Sequence, residues 1–224
     1  MSEVADGVRR PARRLLTRTS VGAAAAALAV TTASCGGASS DTTGGDGLHG
    51  SAINGLYQLP ATTLTDTEDQ AYDLRADTDA PLTLVFFGYT QCPDICQTTM
   101  ALLASAVTQL PAEDRGDVDV LFVTTDPARD TAPVLQAYLD RLDPTFEGVT
   151  GALPDIVAVG EDMGVDITEG TKLPSGGYEV DHSTQVYAVD ATGTTRAVWT
   201  SGGLSSADVA EDVEVLLGDV RAGM

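Results

Sequence analysis

Two short runs dominate the hydrophobic pattern of the chain. Leu82 to Phe87 and Val118 to Val123 are rich in strand-forming residues, and the first carries no charge. Runs of this kind suit strands buried on both faces, as in a parallel sheet. Between them Met100, Leu102, Leu103 and Val107 recur at helical spacing, with a stop near Leu110-Pro111. Strand, helix, strand predicts a right-handed crossover between two parallel strands. Upstream, Gly55 to Leu74 alternates apolar pieces with turn residues and predicts a short hairpin. Downstream, Asp130-Thr131-Ala132-Pro133 opens a helix through Val134, Leu135, Tyr138, Leu139 and Leu142. Leu153 to Met163 reads as another short helix, and the polar, Gly-rich stretch 167–177 as an exposed loop or hairpin. Gln185–Asp190 and Arg196–Thr200 flank the turn Ala191-Thr192-Gly193 and predict an antiparallel pair. Ser205 to Leu217 forms the last helix. Ser205 can cap it, Asp208 lies in its first turn, and Val209, Val213, Leu216 and Leu217 face inward.

This order predicts a thioredoxin-like α/β fold: a central mixed sheet flanked by helices, with an N-terminal hairpin. Its first long helix starts at a chemically loaded turn, Gly88 to Cys96. Pro93 fits the first helical position. Cys92 then sits where the strand ends, and Cys96 one turn up on about the same face. Orphan N–H groups and the helix dipole favour a thiolate there. Two soft ligands at i and i+4 can grip Cu(I) or zinc. They can equally close a catalytic disulfide, or a purely structural one. Thioredoxin itself separates its cysteines by two residues, whereas this chain has three. Asp126 falls at the end of the second strand, where α/β sheets place their sites, or serves only as a turn or cap residue. His182, beside Asp181, stands in a polar stretch just before a strand. It is either a solvated surface group or a third ligand, with Asp181 holding the ring or tuning the charge.

Composition narrows the setting. The 224 residues allow one ordinary domain plus tails, and 43% hydrophobic content suffices for a core. Residues 1–34 hold five of the twelve basic residues and two of the thirty-three acidic ones, so the remainder carries −24. That charge excludes a nucleic-acid partner, which needs a basic footprint. Residues 1–35 read as an export signal: a basic start, an Ala-rich stretch from Val21 to Val30, then small residues up to Cys35. The stretch is too short to span a membrane. Arg13-Arg14 resembles a twin-arginine signal, and Thr32-Ala33-Ser34-Cys35 a lipobox, with Thr32 in place of the usual Leu. Lipidation at Cys35 or cleavage near Ala33 both put the domain outside the cytoplasm, in an oxidising setting. Residues 36–54 read as a flexible linker, with His49 solvated at its end.

The segments Phe86-Phe87-Gly88-Tyr89-Thr90-Gln91-Cys92-Pro93-Asp94-Ile95-Cys96, Thr125-Asp126-Pro127-Ala128-Arg129-Asp130-Thr131 and Asp181-His182-Ser183 together resemble the Sco/SenC family, copper-handling proteins needed to build cytochrome c oxidase. The resemblance covers about residues 55–220. It implies one copper, Cu(I) or Cu(II), held by Cys92, Cys96 and His182, with Asp126 and Asp181 in support. It further implies an extracytoplasmic metallochaperone, anchored to the cell membrane by lipid on Cys35. Its partners would be the copper-binding subunit of the oxidase and a thioredoxin-like reductant. The competing reading is a thiol–disulfide oxidoreductase that keeps the oxidase's copper-site cysteines reduced; Cys92 and Cys96 would then be catalytic and His182 dispensable.

Overall fold

The strand-forming runs assemble into one eight-stranded mixed sheet. The structure is a computed structural model that describes residues 47–53, 55–172, 178–182, 184–200 and 205–223; at 169–172 and 178–182 it describes the backbone. In chain order the elements are β1 (Ser51–Ala52), β2 (Thr63–Asp66), β3 (Ala71–Asp73), β4 (Leu82–Gly88), α1 (Ile95–Gln109), β5 (Val118–Thr124), α2 (Ala132–Leu139), β6 (Glu147–Thr150), α3 (Leu153–Asp162), β7 (Ile167–Lys172), β8 (Tyr178–His182), β9 (Gln185–Asp190), β10 (Thr195–Thr200) and α4 (Ser206–Ala222), with a 3₁₀ turn at Arg115–Asp117.

The sheet runs β1-β10-β9-β4-β5-β6-β2-β3. At its centre β4 pairs parallel with β5, as the crossover predicts, and antiparallel with β9, the first strand of the expected C-terminal pair. Every residue of β4 is buried, because both faces are covered. Phe86 packs with Phe122 at 6.1 Å between ring centroids, and Phe87 meets Tyr187 edge-on at 6.3 Å. Adjacent side chains of one strand thus reach two different parts of the core. Helices α1 and α4 pack on each other, and α4 also touches β4. The 55–74 hairpin forms as β2 and β3. The β9–β10 turn closes on Gly193, whose φ of +78° suits a residue without Cβ. Ser205 and Asp208 form a capping box at the start of α4, as their spacing predicts.

Two features depart from the sequence reading, and one that it left open between loop and hairpin is decided. β6 was not foreseen: its four residues include Glu147 and Gly148, too few apolar positions to announce a strand, yet it extends the parallel run beside β5. The polar stretch after α3 forms half of a separate two-stranded ribbon, β7 paired antiparallel with β8. His49, expected to be solvated in a linker, lies against α4. Its ring contacts Glu211 at 3.2 Å, and its backbone N–H and that of Gly50 each donate to the Asp212 carboxylate at 2.8 Å. Asp212 is buried and also accepts from the Trp199 indole at 2.7 Å. A buried carboxylate needs such donors, and the chain leading into β1 supplies two of the three. The expected export signal, Cys35 and residues 36–46 of the expected linker lie outside the described residues. Among the described residues no helix is long and apolar enough to cross a membrane.

Candidate metal centre

The cysteine turn hangs from the end of β4. Thr125, just past β5, donates to the Gly88 carbonyl from its N–H at 2.7 Å and from its hydroxyl at 3.2 Å. The neighbouring parallel strand therefore fixes where β4 releases the chain. The turn is then drawn in by the Cys92 N–H, which donates to the Tyr89 carbonyl at 3.2 Å. Helix α1 begins at Ile95, so Pro93 is not its first residue as expected. Asp94 intervenes with φ −142° and ψ −80°, outside the helical region. Cys92 accordingly precedes the helix and Cys96 lies in its first turn.

The two thiols still meet. Asp94 makes no side-chain cap, and the Cys96 N–H donates instead to the Cys92 sulfur at 3.4 Å. One of the orphan donors of the helix start is thus satisfied by sulfur. No disulfide joins the pair. Cys96 is fully buried while Cys92 is partly exposed. A Cβ on Gly88 would lie 3.1 Å from the Cys96 sulfur, so the bare backbone there makes the sulfur's seat. The expectation of a lowered thiol pKa fails for Cys96. Burial pushes it up, and its hydrogen bond with Cys92 adds to that, while a bond involving the Tyr89 backbone opposes it. The helix start does not outweigh an apolar seat.

The loop after β5 meets this turn. Asp126 is buried and pairs with Arg129, whose guanidinium lies 5.6 Å from the centroid of the Tyr89 ring. Asp126 therefore borders the cysteine turn through Arg129 and Tyr89. Asp130 reaches the turn directly. Its carboxylate accepts from the Thr90 N–H at 2.9 Å, the Thr90 hydroxyl at 2.6 Å and the Thr124 hydroxyl at 2.7 Å. Sequence reasoning took Asp130 for part of a helix start. Helix α2 has Thr131 at its cap position instead, which leaves Asp130 facing inward at 0% exposure. Its burial pushes the carboxyl pKa up, with the three donors pulling the other way.

Tyr138 was also missed, because its helical spacing marked it only as core. Its hydroxyl is buried without a hydrogen-bond partner among the described residues. Burial raises its pKa, and the neighbouring Cys96 and Cys92 add to that.

His182 ends β8, paired across the ribbon with Ile167, and Asp181 pairs with Thr168. The side chains of both lie outside the described residues. The chain enters β9 at Gln185, and Val186 pairs with Phe86 near the end of β4. The backbone thus passes from His182 into the sheet at the edge where β4 leaves for the cysteine turn. Among the described residues no three His, Cys, Asp or Glu side chains are grouped to hold a metal ion. What they do provide is a pair of adjacent sulfurs, one buried and one accessible, able to hold a soft cation or to close a disulfide.

The SCO1/SenC family model matches residues 57–218. A putative copper-binding protein of Stutzerimonas stutzeri is 33% identical over 138 residues, covering 62% of this chain and 67% of that protein. The bovine mitochondrial protein SCO2 homolog is 36% identical over 120 residues, covering 53% of this chain and 45% of its own length. Among solved structures, Bradyrhizobium japonicum ScoI with copper bound superposes with a TM-score of 0.62 at 26% identity, covering 74% of this chain and 98% of that one.

Proposed function

The chain belongs to the SCO1/SenC family, and on that premise we propose that it is an extracytoplasmic copper metallochaperone serving cytochrome c oxidase assembly. The observation that carries this reading is the meeting of Cys92 and Cys96: the Cys92 sulfur accepts from the Cys96 backbone N–H at 3.4 Å, and both cysteines are free. A thiolate pair is the donor set that a soft monovalent copper ion takes. Cys92 and Cys96 would supply two ligands and His182 the third, with Asp181 orienting the imidazole and Asp126 supporting the turn. Copper here is cargo, held by sulfur firmly enough to carry and by few enough ligands to hand over in steps. The partly exposed Cys92 is the sulfur an acceptor can reach first, and the buried Cys96 is the sulfur that releases last. The copper-binding relative of Stutzerimonas stutzeri and the copper-bound ScoI neighbour support the same metal.

Delivery to the copper-binding subunit of the oxidase fits a domain tethered at the outer membrane face through lipid on Cys35, because tethering raises its concentration near a membrane target. A thioredoxin-like reductant would keep the two thiols open in an oxidising compartment. The test is oxidase maturation in cells carrying His182→Ala or Cys92→Ala. Loss of oxidase copper in both supports delivery through a mixed sulfur–nitrogen site. Full maturation with His182→Ala and none with Cys92→Ala overturns it in favour of thiol–disulfide exchange.

A further inference from the structure

The buried carboxylate of Asp130 ties the turn holding Cys92 to the loop after β5. Two of its three bonds go to Thr90, two residues before Cys92, and the third to Thr124 at the end of β5. The Thr90 hydroxyl bond, at 2.6 Å, is of charge-assisted length. The turn between β4 and α1 contains no helix or strand over 89–94. A buried carboxylate is tolerated when its oxygens are hydrogen-bonded, and both oxygens of Asp130 are, so the bonds that satisfy it also fix Thr90.

We propose that Asp130 is a positioning residue for the dithiol: by clamping Thr90 it holds the Cys92 sulfur over the Cys96 N–H, where both sulfurs address one ion. The proposal rests on the copper reading of the same site for its functional meaning. Its geometric content, the proximity of the two sulfurs, stands apart from copper and can be read in the metal-free protein. Bond formation between the thiols depends on their effective concentration, which a clamped turn raises. The clamp acts through Thr90 and touches neither sulfur.

The experiment uses the full chain in a Cys35→Ser background, so that only the two site thiols titrate. Four variants are compared with it: Asp130→Asn, Thr90→Ala, the double variant of these two, and Val159→Ala, a core truncation on α3 outside the cysteine turn and the loop after β5. Two readouts are taken: the disulfide equilibrium of Cys92 and Cys96 against a glutathione buffer, and Cu(I) affinity by competition with a chromogenic chelator under anaerobic conditions. Asp130→Asn is expected to lower both constants about tenfold, the effect of losing charge-assisted bonds, which for the disulfide is about 30 mV. Thr90→Ala, which keeps the backbone bond, lowers both by about threefold. The double variant adds nothing to Asp130→Asn, and Val159→Ala lowers the melting temperature without moving either constant. Values within twofold of the parent for both Asp130→Asn and Thr90→Ala overturn the proposal, as does an equal shift from Val159→Ala. Should Asp130→Asn not fold, Thr90→Ala decides alone. A parent that takes up no Cu(I) refutes the copper reading instead, and the disulfide equilibrium then judges the clamp by itself.

Discussion

Gly88→Ala probes the seat of the buried sulfur. A Cβ there would approach Phe86 Cε1 to 2.8 Å, and both the Cys96 sulfur and Phe122 Cε2 to 3.1 Å. Carbon contacts relax at about 3.5–4.0 Å, so the Phe86 ring would have to retreat by more than half an ångström. It is fully buried and packed on Phe122, so the retreat is resisted. Overpacking of this kind costs about 1–3 kcal/mol. Gly88 has no positive φ, so Ala fits the backbone and recovers about 0.4–1 kcal/mol from the unfolded chain. The net loss is about 1–2 kcal/mol, or roughly 2–8 °C in melting temperature for a domain of this size. The softest way to relieve the clash is to push the Cys96 sulfur off its seat. Urea unfolding of the reduced protein and the rate of Cys96 alkylation in a Cys92→Ser background report the two consequences. A lower midpoint with faster alkylation is expected; an unchanged or higher midpoint with unchanged alkylation refutes the packing argument.

Other expectations follow from groups beside the site and away from it. Tyr138→Phe removes a buried hydroxyl that has no partner among the described residues, so the metal-free protein should melt at the same temperature or higher, by up to about 1 kcal/mol in stability; a clear loss would mean the hydroxyl is bonded. Asp212→Ala strands the N–H groups of His49 and Gly50 and the Trp199 indole, at a cost of about 2–4 kcal/mol. Because Trp199 is the sole tryptophan, a red-shifted emission should accompany it, and an unshifted spectrum at unchanged stability would contradict the burial of that bond. Asp119, Asp130 and Glu147 all have pKa values raised, first of all by burial. Their folded forms take up protons before their unfolded forms do, so each contributes stability that is lost as pH rises through its raised pKa and fully present below about 4. Thermal unfolding of the metal-free protein should therefore shift upward as pH falls from neutral toward about 4, and a steady downward shift would contradict the assignment.

Much of the sheet was legible because its central strands are covered on both faces and so are written in unbroken strand-formers. The Leu82 and Val118 runs, the crossover helix and the Gly193 turn all follow from period and turn chemistry. β6 was not legible, since four residues with Glu147 and Gly148 among them gain their strand only from the neighbour they pair with. At the site, Cys92 and Cys96 were legible from their spacing, and their contact was met. The start of α1 was misplaced by two residues, because Pro93 suits a first helical position locally while the geometry at Asp94 interrupts the helix. The lowered pKa expected at a helix start was reversed for Cys96 by an apolar seat that only tertiary packing creates. Asp130 was hidden for a related reason. An Asp before Thr-Ala-Pro reads as a helix opening, and nothing local tells that its carboxylate turns inward to a loop forty residues earlier.

The account is tested most directly by X-ray absorption at the copper edge on the reduced full chain after anaerobic addition of one equivalent of Cu(I). Two sulfur neighbours and one nitrogen are expected, with one sulfur lost in Cys92→Ser and the nitrogen lost in His182→Ala. A reduced protein that leaves the ion in solution, or a copper environment untouched by both substitutions, would contradict it.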